Sequence, residues 1–175
     1  MILWDLPSGS PLYRAHIPQW ASNPLSGAGA AAKGGRFNRE GVEALYLSLD
    51  EVTALREYQQ TSPFLPPCTM ASYTATLTGL VDLRQLARGA PWDALWHDWR
   101  EDWRHLKFEQ HIEPPGWVLG DMVLDAGLSG IVFPSLTHDG GANIVAYVGR
   151  LAEGDRIDVN DPDGHLPKDR SSWTQ

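Results

Sequence analysis

An arginine, a tyrosine and a glutamate follow one another at spacings of ten and eleven residues in the stretch GGRFNREGVEALYLSLDEVTALRE, residues 34–57. Arg36 offers a planar fork of donors suited to a carboxylate or a phosphate. Tyr46 offers a ring that can stack on a flat heterocycle. Glu57 offers a carboxylate that can stabilise positive charge developing on a sugar carbon. Each also fits an ordinary place: a solvated turn arginine, a half-buried strand tyrosine, a surface helix glutamate. As a set, with Arg14 and Ser135, they suit cleavage of an N-glycosidic bond in an anionic dinucleotide. The arginines would hold the pyrophosphate, and the carboxylate would serve the ribose. Nicotinamide is already a good leaving group, so no general acid is needed. One carboxylate then suffices, whereas ordinary glycosidases use two.

Three adjoining elements must position this set. Gly34 and Gly35 permit a sharp bend and a close approach of backbone to ligand. Residues 44–48 (ALYLS) read as a strand, with Leu45 and Leu47 toward the core and Tyr46 toward a cleft. Ser48-Leu-Asp-Glu51 fits a capping box, so a helix is expected from there. Val52, Leu55 and Gln59 share one side of that helix. Glu57 lies away from this stripe, near Thr53 and Ala54.

The remaining chain reads as follows. Residues 1–10 form a lead-in with a Pro-Ser-Gly turn, and residues 11–17 a first short strand. Arg14 on that strand must find solvent, a carboxylate or a ligand. Residues 21–33 (ASNPLSGAGAAAK) read as a flexible loop, either a lid or plain surface, and carry no phosphate-loop pattern. Residues 70–77 have a strand's composition, and 79–83 turn irregular or briefly helical. Residues 91–107 are the clearest helix: Trp92, Trp96, Trp99, Trp103 and Leu106 recur at helical spacing. Core packing is the favoured reading of that stripe, and a partner patch the other. A helix over 117–125 with Gly127 as its C-cap, strands over 129–133, 143–148 and 157–159, and a polar tail complete the chain. Ser135 sits just past a strand end, where ligand contacts are common. Strands and helices do not alternate regularly, which predicts an α+β fold in one domain, residues 1–175.

Composition narrows the function further. A net charge of −8 on 175 residues argues against direct nucleic-acid binding, so an anionic substrate must be held by local arginines. The single cysteine, Cys68, forms no internal disulfide and fits a reducing compartment. No apolar run reaches membrane-spanning length and no signal peptide is evident, so a cytoplasmic protein is expected. The six histidines form no zinc-ligand spacing, so no metal is expected. Neither a dinucleotide-binding glycine fingerprint nor a Gly-x-Ser-x-Gly elbow occurs.

Several short motifs, in order, resemble the RES-domain toxins over about residues 11–150. They are Tyr13-Arg14, PLSG at 24–27, GGRFN at 34–38, ALYLS at 44–48, ALRE at 54–57, GIVFPS at 130–135 and GGANIV at 140–145. The resemblance implies an ADP-ribosyltransferase-like fold, a mixed β-sheet core with surrounding helices. It implies NAD as substrate, with water, phosphate or a protein side chain as acceptor of the ADP-ribose. It also implies an Xre-like antitoxin covering the NAD pocket. By matching motif positions it assigns Arg36, Tyr46 and Glu57 to catalysis. It assigns Tyr13, Arg14, Gly35, Arg36, Tyr46, Ser135 and Asn143 to NAD binding. Phe37 stands where the family more often carries Trp. Leu55 stands where arginine-specific transferases carry the first glutamate of Glu-x-Glu, which speaks against an arginine acceptor. The competing reading is a non-catalytic interaction module built on the Trp-rich helix.

Overall fold

Alternation of apolar and polar residues builds the longest pair of strands. In the computed structural model, which describes residues 1–89 and 91–173, strand β1 (Leu3–His16) pairs antiparallel with β3 (Thr69–Asp82). Ala71, Tyr73, Ala75 and Leu77 of β3 face inward at every second position. β1 begins earlier than expected, because the Pro-Ser-Gly stretch makes no turn. Register shifts around residues 4–10 absorb it within the strand. β3 likewise runs on through Leu80, Val81 and Asp82, where irregular structure was expected. Those three pair in parallel with β4 (Gly130–Pro134) and are buried, so they read as a continuous run rather than an alternation.

β2 (Leu45–Ser48) meets β1 at one pair, Tyr13 opposite Ser48, and pairs along its length with β5 (Ala142–Ala146). β5 pairs antiparallel with β4, and β6 (Arg156–Val159) lies along β3. The strand order is β1-β2-β5-β4-β3-β6, and the β1–β3 pairing joins the first five strands in a closed circuit. One core cluster holds Leu12, Leu45, Leu47, Tyr73 and Ile144; the second holds Phe37, Trp96, Trp99, Leu119 and Val145.

Helix α1 (Ala28–Lys33) replaces the flexible loop expected there; its alanine run favours helix, and Gly34 ends it at φ +75°. Helix α2 (Glu51–Gln59) is capped by Asp50, whose carboxylate accepts from the Thr53 N–H at 2.8 Å. Ser48, the expected cap, stays in the strand and bonds elsewhere. The buried side of α2 carries Thr53 and Ala54, while Val52 is exposed. Glu57 therefore lies on the inward side of the helix.

The Trp-rich segment is not one helix. A 3₁₀ stretch (Ala94–Arg100) breaks at Glu101 and is followed by a π-helical turn (His105–Gln110). Asp93 accepts from Leu95 N–H, and Asp102 from Arg104 and His105 N–H, so aspartates cap short turns instead of allowing one long one. Packing outweighs regularity here. Burying one tryptophan contributes about 4–6 kcal/mol at ~25 cal/mol/Å², against about 0.2–0.5 kcal/mol for a helical side-chain pair. Trp96 and Trp99 are each only 2% exposed, as the core reading expected.

Helix α3 (Pro115–Asp125) starts on proline and presents Gly116 and Gly120 one turn apart. A methyl group on Gly116 would strike the Arg36 carbonyl, and one on Gly120 the Phe37 carbonyl. The helix thus lies directly on the backbone that carries Arg36. No helix among the described residues is long and apolar enough to cross a membrane.

Candidate active site

Glu57 leaves α2 toward the start of β5. Its Oε1 accepts two hydrogen bonds of 2.7 Å, from Ser135 Oγ and from Asn143 Nδ2. Asn143 is oriented in turn by Ser48 Oγ, which donates to its Oδ1 at 2.7 Å. Ser135 accepts from the Thr137 and His138 N–H groups, which hold the hydroxyl beside the carboxylate. Oε2 has no hydrogen-bond partner among the described residues.

Tyr46 is locked into the glycine turn. Its hydroxyl accepts from the Phe37 N–H and donates to Asn38 Oδ1, both at 2.9 Å. Gly35 lies so close that any side chain there would collide with Tyr46 and Asn38. Burial pushes the Tyr46 hydroxyl above the usual phenol range, opposed by the Phe37 N–H and the charges of Arg36 and Arg104. The hydroxyl thus both accepts and donates within the fold, and Tyr46 also lines the cavity described below. Asn38 is itself buried, and its amide donates to the Ala30, Arg39 and Val42 carbonyls.

Arg36 follows the same turn. Its Nη1 donates at 2.9 Å to the carbonyls of Trp99 and Glu101, which ties the Trp-rich segment to the glycine turn. Burial lowers its pKa, as does the charge of Arg104, while Tyr46, Glu57 and Asp102 act in the opposite sense. An arginine remains charged under such shifts.

These elements surround a cavity of about 440 Å³, a volume within the range of small-molecule sites. Gly35, Arg36, Tyr46, Glu57 and Asn143 line it, and Ser135 reaches it through Glu57. Tyr13 and Arg14 are not among its lining residues. Arg14 Nη1 donates to the Ser26 carbonyl at 3.2 Å, just before α1, and burial lowers its pKa. Sequence reasoning passed over Ser48, Lys33, Trp103, Arg104 and Phe108, which also line the cavity. Ser48 shares a strand face with Tyr46, which was a usable signal. Arg104 lies in the Trp-rich segment, which the sequence presents through its tryptophan spacing alone. Among the described residues no group of His, Cys, Asp or Glu is gathered that could hold a metal ion.

A search among curated proteins finds no match. Among solved structures, the chain is similar to one described as the crystal structure of the M. tuberculosis MbcT–MbcA toxin–antitoxin complex, with a TM-score of 0.59 and 21% identity. The alignment covers 91% of this chain and 84% of that one, and it shows a shared α+β fold. The family model described as the RES domain matches residues 11–169, which takes in every element around the cavity. On that match, this chain belongs to the RES-domain family.

Proposed function

We propose that this chain is the toxin of a toxin–antitoxin pair. It would cleave NAD at the nicotinamide–ribose bond and pass ADP-ribose to water, phosphate or a protein side chain. The observation that carries the reading is the single carboxylate in the cavity, Glu57, held through Oε1 by Ser135 and Asn143 with Oε2 left over. In this reading the bond electrons leave with nicotinamide and neutralise its ring charge. Glu57 stabilises the cation growing on the ribose, and the acceptor adds to the same carbon and gives up its proton. A fixed carboxylate spends nothing on reorientation at that moment. Tyr46 offers its ring to a flat heterocycle, and Arg36 its remaining donors to phosphate. Arg14 is assigned a part in NAD binding through Ser26, since α1 beyond it contributes Lys33 to the cavity wall. Tyr13 belongs to the same strand.

The regulatory partner in this proposal is an Xre-like antitoxin that covers the cavity, in a cytoplasmic setting. The structural likeness to a chain crystallised in a toxin–antitoxin complex supports a protein partner. The competing idea, an interaction module on the Trp-rich segment, loses its surface, because Trp96, Trp99 and Trp103 are buried. Incubating the purified chain with NAD and separating the products by chromatography tests the proposal. Free nicotinamide is the expected result. A folded chain that releases none removes the enzymatic reading.

A further inference from the structure

The charges lining the cavity do not match those of the chain. The chain carries 22 acidic against 14 basic residues. The cavity lining carries Lys33, Arg36 and Arg104 against Glu57 alone. Two basic residues close by are ion-paired, Arg39 with Glu113 and Asp121, and Lys107 with Glu40. Arg36 and Arg104 make no ion pair among the described residues. Arg36 gives Nη1 to two neutral carbonyls, and the Arg104 guanidinium lies 4.7 Å from the Trp103 ring centroid. Two neighbouring cations repel, and neither is in contact with a carboxylate among the described residues, although Glu57 and Asp102 lie near enough to favour the charge of Arg36. Burial is the main cause that lowers the Arg36 pKa; Arg104 acts in the same direction, and Tyr46, Glu57 and Asp102 act against it.

The covalent layout links the two arginines. The carbonyls that Arg36 holds, Trp99 and Glu101, lie just before Arg104 in the chain. Arg36 therefore sets the position of the segment that brings Arg104 to the cavity. Trp103 then supports the guanidinium from one face, leaving its edge of donors available. A pair of forks with no carboxylate in contact matches a group with several anionic oxygens better than a single carboxylate does.

We propose that Arg104 is a second phosphate-binding residue of this cavity, paired with Arg36, and that the ligand it recognises is a phosphate-bearing group. The inference rests on the NAD-consuming reading for what that group is, either the pyrophosphate of the dinucleotide or a free phosphate acceptor. It does not rest on catalysis, so binding alone decides it.

Calorimetric titration of the full chain is the test, with ADP-ribose, inorganic phosphate and nicotinamide as separate ligands. Arg104→Ala is expected to weaken an anion at least about tenfold, the scale for losing a charge-assisted hydrogen bond. Nicotinamide affinity and melting temperature should stay unchanged. Arg104→Lys should fall between, because a point charge replaces only part of a fork. Weakening of ADP-ribose alone assigns Arg104 to the dinucleotide pyrophosphate, and weakening of inorganic phosphate assigns it to an acceptor. Equal affinities of variant and wild type for both anions overturn the inference. So does a wild type that binds neither anion, or a variant that loses nicotinamide in parallel, since the latter marks a collapsed wall. A wild type that binds an anion through Arg104 yet releases no nicotinamide from NAD leaves this inference standing and removes the catalytic one.

Discussion

Glu57 is separated from its hydrogen-bond partners Ser135 and Asn143 by 78 and 86 residues of chain. That distance makes the choice of substitution matter. Alanine would remove the charge and also leave Ser135 and Asn143 without their acceptor, at about 1–3 kcal/mol for a buried group left unpaired. Glutamine keeps an oxygen where Oε1 stands and removes only the charge. Glu57→Gln is therefore expected to melt within a few degrees of wild type while NAD cleavage drops at least about a hundredfold. Thermal melting and nicotinamide release measure the two effects separately. Retention of cleavage in the folded variant would take Glu57 out of the mechanism. The chemistry-bearing residue types were legible in the sequence, and the partners were not. Ser48 satisfies a capping-box pattern and a strand face equally well. Only the register that sets Ser48 opposite Asn143 decides for the strand, with Asp50 taking the cap.

At the scale of elements, α3 sets where Arg36 can lie. Gly120→Ala gains about 0.8–1.0 kcal/mol of helix propensity, yet its methyl meets the Phe37 carbonyl, which also accepts from Tyr147. Overpacking of this kind costs about 1–3 kcal/mol, so the net effect is destabilising. The displaced Phe37 should move Arg36 with it and lower nicotinamide release. Gly149→Ala is the control, because nothing lies within 4 Å of a methyl there. Urea unfolding and activity of the two variants should part in that order, and a neutral Gly120→Ala would show that the helix yields easily. The sequence makes α3 legible from its apolar positions but is silent on its glycines, whose reason is the approach of another backbone. The Trp-rich stretch shows the opposite error. Its 3-and-4 spacing reads as one helix, whereas local aspartate caps divide it into short turns that still bury Trp96, Trp99 and Trp103 and leave Trp92 half-buried.

For the molecule as a whole, acid should weaken the fold through His16. This histidine is the buried last residue of β1 and lies 2.7 Å from the Tyr73 hydroxyl of β3 through Nε2. Tyr73 gives its one proton to the Pro24 carbonyl, so Nε2 must carry the hydrogen and donate to it. Burial, with the charge of Arg14 added, lowers the His16 pKa from 6.5 to about 4. The unfolded chain therefore takes up the proton first on acidification. The stability due to the neutral ring is complete above about 6.5 and is lost as pH falls toward about 4. Comparing urea midpoints of wild type and His16→Gln across that window isolates this effect, because the carboxylates are common to both. Their difference should shrink as pH falls, and a constant difference would exclude His16 as the source. The α+β fold was legible as a list of strands and helices, but the closed circuit was not, since a single pair, Tyr13 with Ser48, joins β1 to β2. The wiring of Glu57 also has a consequence for biosynthesis. The carboxylate is made early, but the serine and asparagine that hold it come 78 and 86 residues later. A nascent chain on the ribosome cannot assemble the site until β5 has emerged and paired with β2, so any activity that depends on the held carboxylate begins only after that pairing.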